Sequence, residues 1–386
     1  TGSRNERNER RAKKIRNPMR SSVVARAVVG RLRGSATDAS AAARPSPLAA
    51  SGPSVSIAGN RHTRTLNEHA AVGGSGRRGL SSSSIFVPPP PNAYHGVPVY
   101  DPVDITAASS PSPESASARR NADPDAVHVV TGASRSMGLQ FVKSLLDRTE
   151  GRILALCRDP SEGGSTKLRQ YLSTLSDDES KRVEALKCDV TVQDDVDSVA
   201  EIASSEYGRV DSLHNVAGVL GDAGVTTPGP ERNLSMLDRD WLRSQMEVNV
   251  VGPMMLTRGL APLMRSKKGR KVGRAETVVV NVSARVGSIA DNVGGLGWHS
   301  YRMSKAALNQ GTRTISHELK RQGTWSVALY PGFTETDMSE PFRKGAKVGG
   351  VFPVDFTVNR LLDVVDGMEE KHSGGFYDWA GRALPF

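Results

Sequence analysis

The stretch VHVVTGASRSMG, residues 127–138, decides the fold class of this chain. Residues 127–130 form an apolar run rich in valine, residues 131–138 are rich in glycine and serine, and Leu139 opens a helical apolar pattern. Strand, glycine-rich turn and helix start follow in the order of the first βα unit of a dinucleotide-binding fold. Glycine has no Cβ and therefore lets backbone N–H groups approach a pyrophosphate. The stretch predicts such a turn, with a ligand-free tight turn as the alternative.

From residue 126 onward, apolar β-rich runs alternate with helical stretches. The predicted strands cover residues 127–130, 152–156, 183–188, 212–214, 277–282, 325–329 and 375–378. The predicted helices cover residues 139–147, 194–207, 239–264, 301–322 and 358–368. This alternation is typical of a parallel sheet covered on both faces. We expect an α/β protein with a doubly wound Rossmann fold of seven parallel strands, and one domain, residues 122–386, that holds both the cofactor and substrate sites.

The formal net charge of +10 is concentrated in the first hundred residues. Residues 1–100 carry 16 Lys and Arg against 4 Asp and Glu, whereas residues 101–386 carry 35 against 37. A nearly neutral folded part argues against nucleic acid as a partner. No apolar run reaches the roughly 18–20 residues needed to span a bilayer, so no membrane partner is expected.

Residues 1–121 are predicted to form a disordered leader and linker, because large apolar residues are few there. The run from Met19 has arginines spaced by apolar residues and no acid before Asp38, which is typical of a transit peptide. RRGL at 77–80 resembles a presequence cleavage site, so the mitochondrion is favoured over the plastid. A plain disordered tail on a cytoplasmic protein is the alternative. A chain that begins near Ala126 is expected to keep its melting temperature.

The two cysteines, Cys157 and Cys188, both lie in strand-like runs. Two cysteines without well-spaced partners are too few for a zinc site or a disulfide framework. We expect small buried thiols in a reducing compartment and no metal.

A tyrosine and a lysine four residues apart open the predicted helix 301–322, in YRMSK at 301–305. The spacing puts the side chains of Tyr301 and Lys305 on one helical face. A phenol with a pKa of about 10 is a poor acid at neutral pH, and an adjacent ammonium can lower that pKa. The pair is therefore a candidate general acid with its electrostatic partner. A solvated helix face is the alternative.

Together these motifs resemble those of the short-chain dehydrogenase/reductase family. TGASRSMG resembles the family's T-G-x-x-x-G-x-G, YRMSK its Y-x-x-x-K, NVAG at 215–218 its N-N-A-G, and PGFTETDM at 331–338 its P-G-x-x-x-T-D-M. CRDP at 157–160 and GFYDWAG at 375–381 are most similar to the C-factor or sniffer-type carbonyl reductases. The resemblance implies NADPH-dependent reduction of a small-molecule ketone or aldehyde, by a homodimer or homotetramer.

The resemblance also assigns the cofactor contacts. They are Gly132, Ser134, Arg135, Ser136, Met137, Gly138, Arg158, Asp189, Val190, Asn215, Ala217, Gly218, Tyr301, Lys305, Pro331, Gly332, Thr334 and Thr336. Ser136 stands where the family usually has its middle glycine, and Val216 replaces the second asparagine of N-N-A-G. Asp189 would either bind the adenine or cap the following helix, and both readings remain open.

The residue after the second strand bears on cofactor choice, because NAD-using Rossmann proteins place an acid there and NADP users offer an arginine. Arg158 occupies this position, Asp159 comes one residue late, and Arg135 lies in the phosphate turn. These residues predict NADPH rather than NADH. The alternative for Arg158 is the mere start of a surface loop.

Two further positions complete the predicted catalytic set of Tyr301, Lys305, Asn249 and Ser283. Asn249 matches the family's asparagine that organises a water near the active-site lysine, and its alternative is an asparagine that bonds its own helix backbone. The family's catalytic serine usually falls at the position of Ala284, next to Ser283. Either Ser283 supplies the hydroxyl through a local shift, or Tyr301 polarises the carbonyl with less help.

Two functions of different classes follow. The first is an NADP-dependent oxidoreductase that reduces a carbonyl group, with Tyr301 as the general acid. The alternative is a non-catalytic NADP(H)-binding scaffold or redox sensor, because Ser136, Val216 and Ala284 depart from the family pattern.

Overall fold

The structure, a computed structural model, describes residues 100–106, 112–161, 164, 166–221, 230–268, 271–272, 274–294, 297–345 and 350–386. The predicted transit peptide lies outside the described residues, so the peptide and import into an organelle stay predictions. Among the described helices, none combines the length and the apolar character needed to cross a membrane.

A seven-stranded parallel sheet forms the centre of the fold. The strands in chain order are β1 (Val127–Thr131), β2 (Arg152–Cys157), β3 (Val183–Lys187), β4 (Ser212–Asn215), β5 (Lys267–Lys268), β6 (Lys271–Val272), β7 (Thr277–Val282), β8 (Thr324–Tyr330) and β9 (Phe376–Asp378). The central sheet has the order β3-β2-β1-β4-β7-β8-β9, and β5 and β6 form a separate antiparallel pair. The predicted doubly wound fold with seven parallel strands is confirmed.

Helices cover the sheet. They are α1 (Ala116–Asn121), α2 (Ser136–Arg148), α3 (Thr166–Leu172), α4 (Asp177–Ser180), α5 (Gln193–Ile202), α6 (Arg239–Met246), α7 (Gly252–Leu260), α8 (His299–Leu319) and α9 (Val354–Asp366). The helix predicted at 239–264 is interrupted by a π-helical segment, Glu247–Val251, between α6 and α7. The short helices α1, α3 and α4 were not predicted, because fewer than eight residues show little apolar periodicity.

Each face of the sheet has its own apolar cluster. Val130 packs with residues of α2 and α9, whereas Val129, its neighbour in β1, packs with residues of α5 and α7. All of β1 and most of β2 are buried on both faces, and their residues are mainly apolar, with His128 and Thr131 as the polar residues of β1. Because the strands are parallel, the loops that follow them all emerge at the carboxyl edge of the sheet, where such folds bind their ligands.

The folded domain begins earlier than the predicted boundary at residue 122. Val103 is 3% exposed, and its N–H donates to the Gly381 carbonyl at 2.8 Å. Arg120, in α1, is also 3% exposed, and its guanidinium lies 3.6 Å from the Asp366 carboxylate. The predicted boundary is wrong, because the segments that contain Val103 and Arg120 pack on the C-terminal part of the domain.

Two buried histidines on β1 and β4 share one serine. His128 and His214 are each 1% exposed, and their rings lie 2.7 and 2.9 Å from the Ser212 hydroxyl. Burial lowers the pKa of His128 to about 3, and it also holds the pKa of His214 well below the ordinary value. Both rings therefore stay neutral in the folded protein at a pH where the unfolded chain is protonated.

We expect the free energy of unfolding to fall as the pH drops below about 6.5, the ordinary pKa of histidine. Above that pH both histidines are neutral in the folded and in the unfolded chain, so they cause no loss of stability. Below it the unfolded chain binds protons that the folded chain does not, so each ring costs up to about 1.4 kcal/mol per pH unit. Denaturant titrations between about pH 7 and 4.5 measure this slope. His128→Asn should reduce the slope, whereas His317→Asn, at an exposed position of α8, should not; equal slopes would contradict the assignment.

Candidate active site

Close backbone packing shapes the turn between β1 and α2. Gly132 has a φ of 67°, and a Cβ there would lie 3.0 Å from the Ala217 Cα. A Cβ on Gly138 would lie 2.1 Å from the Gly132 carbonyl oxygen, so only glycine fits. The Thr131 hydroxyl accepts from the N–H groups of Val216 and Ala217, both at 2.9 Å. The turn and the loop after β4 therefore form one cradle lined by backbone.

The amino end of α2 points its free N–H groups at this cradle. No side chain caps the helix, and its first turn contains no acid. Ser134 and Met137 are partly exposed there. Ser136 has a φ of 53°, a left-handed conformation that costs a non-glycine residue about 1–2 kcal/mol, which explains the family's preference for glycine. A glycine-lined cradle at an uncapped helix start fits a dinucleotide pyrophosphate.

The two arginines predicted to select NADPH are exposed at the carboxyl edge. Arg158 directly follows β2. Arg135 immediately precedes α2, and its guanidinium lies 3.4 Å from the Asp337 carboxylate in the loop after β8. Because both partners of this ion pair are more than half exposed, it contributes little to stability and leaves Arg135 available to a ligand.

Asp189 and Val190 follow β3. The Asp189 carboxylate accepts from the N–H and the hydroxyl of Thr191, at 2.9 and 2.7 Å. Val192, not Asp189, is the N-cap residue of α5, so the helix-cap alternative for Asp189 is wrong. Val190 packs against Gly252, where a Cβ would lie 2.8 Å from the Val190 Cβ.

Asn215 lies inside the fold. It is 2% exposed, and its Nδ2 donates to the Asn281 Oδ1 at 2.8 Å, which joins β4 to β7. This position contradicts a side-chain contact between Asn215 and the cofactor. Val216 packs against the apolar core, whereas Ala217 and Gly218 are partly exposed in the cradle.

The loop after β8 carries the predicted contacts Pro331, Gly332, Thr334 and Thr336. Gly332 has a φ of 77°, and a Cβ there would lie 3.0 Å from the rings of Phe352 and Trp379. The Thr336 hydroxyl accepts from the Ser339 N–H at 3.2 Å. Its own internal contacts therefore hold this loop at the carboxyl edge.

Tyr301 and Lys305 lie side by side on α8. The Lys305 Nζ is 5.6 Å from the centroid of the Tyr301 ring and donates to the Val282 carbonyl at 2.9 Å. Lys305 is 4% exposed, and burial lowers its pKa to about 8. Tyr301 is 9% exposed, and its hydroxyl makes no hydrogen bond with a described residue. That hydroxyl is available to a substrate.

Burial raises the pKa of Tyr301, and repulsion from the Tyr330 phenol raises it further. The expectation that Lys305 lowers this pKa is not met, because the two effects that shift it, burial and the neighbouring Tyr330, both raise it. Tyr301 is therefore a protonated phenol at neutral pH, which is the form that a proton donor needs.

Asn249 fixes the loop after β4 beside Lys305. It is fully buried in the π-helical segment, its Nδ2 donates to the Val219 carbonyl, and its Oδ1 accepts from the Val219 N–H, both at 2.9 Å. A Cβ on Gly218 would lie 3.1 Å from the Asn249 Oδ1 and 3.6 Å from the Lys305 Nζ. The alternative that Asn249 bonds its own helix backbone is wrong. Its role in organising a water stays a prediction.

The two residues after β7 point in different directions. Ser283 is 3% exposed, and its hydroxyl donates to the Asn309 Oδ1 of α8 at 2.6 Å. Ala284 instead packs in a small apolar cluster with Tyr301 and Leu220. This geometry contradicts the predicted catalytic role of Ser283, because no local shift brings its hydroxyl to the position beside Tyr301.

Sequence reasoning missed the contacts that hold the start of α8. Trp298, the N-cap residue, has a φ of 58°, and its ring meets the Tyr301 ring edge-on with centroids 6.3 Å apart. The fully buried Glu231 accepts from the N–H and the hydroxyl of Ser300. No local signal marks Glu231, since Ser300 is 69 residues away in the sequence.

Replacing Glu231 by alanine should lower the free energy of unfolding by about 1–3 kcal/mol, because buried donors of Ser300 lose their acceptor. It should also lower turnover, because Tyr301 follows Ser300 directly. Glu231→Gln keeps an acceptor and is the matched control. Thermal unfolding and kcat measure both effects, and parental stability together with parental turnover in Glu231→Ala would refute the expectation.

Comparisons with known proteins agree with this geometry. The family model described as short chain dehydrogenase matches residues 126–347. The chain therefore belongs to the short-chain dehydrogenase family. Its resemblance to the carbonyl reductases of that family is confirmed by the relatives and the solved structure that follow.

Two curated relatives are similar over nearly their whole length. C-signal of Myxococcus xanthus is 34% identical over 179 residues, which are 46% of this chain and 94% of the relative. The 1-hydroxy-2-glutathionyl-2-methyl-3-butene dehydrogenase of Rhodococcus sp. (strain AD45) is 35% identical over 256 residues, 66% of this chain and 97% of the relative. Among solved structures, an NADPH-bound carbonyl reductase from chicken fatty liver is 27% identical with a TM-score of 0.56, covering 68% of this chain and 99% of that one. The chain is accordingly a small-molecule oxidoreductase of this family.

Proposed function

We propose that this protein reduces a ketone or aldehyde with NADPH and that Tyr301 is the proton donor. The observation that carries the proposal is the protonated, nearly buried Tyr301 with a free hydroxyl beside Lys305, on a helix that starts at the carboxyl edge of the sheet. A bound NADPH would supply a hydride to the carbonyl carbon. Tyr301 gives its proton to the carbonyl oxygen, and Lys305, held on the Val282 carbonyl, stabilises the phenolate that remains.

The surroundings of Tyr301 favour an apolar substrate. Leu220, Val286, Trp298 and Phe342 pack around Tyr301 in the same small cluster. The rings of Trp298 and Phe342 lie 5.1 Å apart, centroid to centroid. Apolar and aromatic walls bind carbonyl compounds with hydrophobic substituents better than charged ones.

A substrate panel tests the proposal. The purified protein should consume NADPH with apolar ketones, aldehydes and quinones, and it should be slower with carboxylated analogues of the same carbonyl compounds. Equilibrium binding of NADPH is measured on the same preparation. Tight cofactor binding without turnover across the panel would favour the alternative, a non-catalytic NADP(H)-binding scaffold or redox sensor.

Preference for NADPH over NADH has its own test at Arg158. Arg158→Ala should raise the KM for NADPH roughly 10–100-fold, the value of one charge-assisted hydrogen bond to a phosphate, and leave the KM for NADH unchanged. Lys181→Ala, which removes an exposed cation next to the amino end of β3, is the control. An equal effect on both cofactors would count against a contact between Arg158 and the 2′-phosphate. Assembly into a homodimer or homotetramer stays a prediction.

A further inference from the structure

A buried glutamine on α6 is directed at the loop after β4. Gln245 lies four residues before Asn249 in the sequence and is fully buried. Its Nε2 donates to the Leu220 carbonyl at 2.9 Å, and its Oε1 accepts from the Asn249 Nδ2 at 3.2 Å. A buried amide is costly unless its polar atoms have partners, so these two contacts fix the direction of the side chain.

The position of Leu220 depends on this contact. The bond from Gln245 is the one hydrogen bond that the Leu220 backbone makes with a described residue. The preceding residue, Val219, is held separately, because both its N–H and its carbonyl are bonded to the side chain of Asn249. Asn249 and Gln245 therefore hold two successive residues of the loop.

The Leu220 side chain forms one wall of the site around Tyr301. It is 6% exposed and packs in the small apolar cluster with Tyr301 and Ala284. Tyr301 and Lys305 are carried by α8 instead, and Lys305 is held on the Val282 carbonyl. A displacement of Leu220 would therefore change the space beside Tyr301 and leave the proton donor and its partner in place.

We propose that Gln245 is a positioning residue that holds Leu220 against Tyr301 and so limits the size of the carbonyl compounds that the site accepts. The proposal rests on the proposed reductase function and concerns the substrate pocket of the same site. A wall held in place contacts a compact substrate closely and excludes a bulkier substituent from the same space. Gln245 acts through the Leu220 backbone and takes no part in hydride or proton transfer.

Selectivity between substrates of different size tests the proposal in the full-length protein. The pairs are isobutyrophenone and acetophenone, para-tert-butylbenzaldehyde and benzaldehyde, and tert-butylbenzoquinone and benzoquinone. Gln245→Met keeps the approximate size of the side chain and removes both hydrogen bonds. It should raise the ratio of kcat/KM for the bulky member over the compact member about 10-fold, the usual worth of one hydrogen bond. The Kd for NADPH should stay within about twofold of the parental value.

A second variant removes the wall itself. Leu220→Ala should raise the same ratios in the same direction, because it opens the same space. Since Gln245 acts through Leu220, adding Gln245→Met to Leu220→Ala should change the ratios by less than about twofold. Gln310→Met, which removes an exposed amide bonded to Thr314 on α8, is the matched control and should keep the parental ratios. Gln245→Leu is a second apolar replacement in case the methionine variant does not fold.

Parental ratios in Gln245→Met would overturn the proposal, because a merely structural role lowers kcat for both members of a pair and leaves their ratio unchanged. Additive effects of Gln245→Met and Leu220→Ala would also overturn it. If neither Gln245 variant folds, Gln245 is a structural residue and the proposal is overturned as well. A parent that reduces no carbonyl compound would instead contradict the proposed reductase function, so the two failures are distinguishable.

Discussion

Replacing Tyr301 by phenylalanine should lower turnover at least about 10²–10⁴-fold, the usual worth of a general acid, while NADPH binds as before. Phenylalanine keeps the ring that packs against Trp298 and Ala284. It also leaves the Lys305 ammonium on the Val282 carbonyl, so the cofactor cradle is unchanged. Turnover is measured from NADPH consumption under saturating substrate, and the Kd from cofactor fluorescence.

The matched control for this variant is Tyr171→Phe, which removes a phenol from α3 beneath Lys143, outside the catalytic pair. It should keep parental turnover and cofactor affinity. Should Tyr301→Phe retain full NADPH-dependent activity, Tyr301 is not the acid, and another group must protonate the carbonyl oxygen. A parallel loss of NADPH affinity would mean that Tyr301 binds the cofactor instead.

The elements that the sequence predicted correctly are those whose signal is local. The apolar runs of the strands and the order strand, glycine turn and helix at 127–138 need no distant partner to be recognised. The same holds for the i, i+4 pair Tyr301 and Lys305, which needs only the helix that carries it.

The serine position shows how a single residue limits sequence reasoning. Ser283 and Ala284 are neighbours at the end of β7, and the side chains of adjacent residues point to opposite sides of an extended chain. A shift of the strand register by one residue therefore decides whether Ser283 or Ala284 points towards Tyr301. Amino-acid composition carries no information on that register. Only the hydrogen bond between Ser283 and Asn309 settles it.

The start of the domain was mispredicted for a different reason, the sequence distance between partners. Val103 finds its backbone acceptor at Gly381, and Arg120 its counter-ion at Asp366. Neither segment forms a long helix or strand with a periodic apolar pattern. The sequence alone therefore predicts a linker for each of them. The family match, which begins at residue 126, does not include them either.

A chain that begins at Ala126 should therefore be much less stable than one that begins at Tyr100, by on the order of 5 kcal/mol. Removing Val103 loses roughly 1.5–3 kcal/mol of apolar burial. Removing Arg120 takes one counter-ion from the nearly buried Asp366, which keeps only Arg148 at 3.5 Å, and breaking such a pair costs about 3–5 kcal/mol. In a domain of this size the loss corresponds to a fall in Tm of about 10 °C or more.

Thermal unfolding of three proteins measures this effect: the full chain, the chain from Tyr100 and the chain from Ala126. The first two are expected to unfold at the same temperature, because the sequence of residues 1–99 offers few large apolar side chains that could pack on the domain. Arg120→Met in the full chain measures the contribution of the Arg120 charge apart from that of the rest of the segment. Methionine keeps much of the apolar stem but leaves Asp366 without that guanidinium. It should account for roughly half of the loss. If the chain from Ala126 unfolds at the temperature of the full chain, Tyr100–Asn121 adds nothing to stability, and the domain begins where the sequence first suggested.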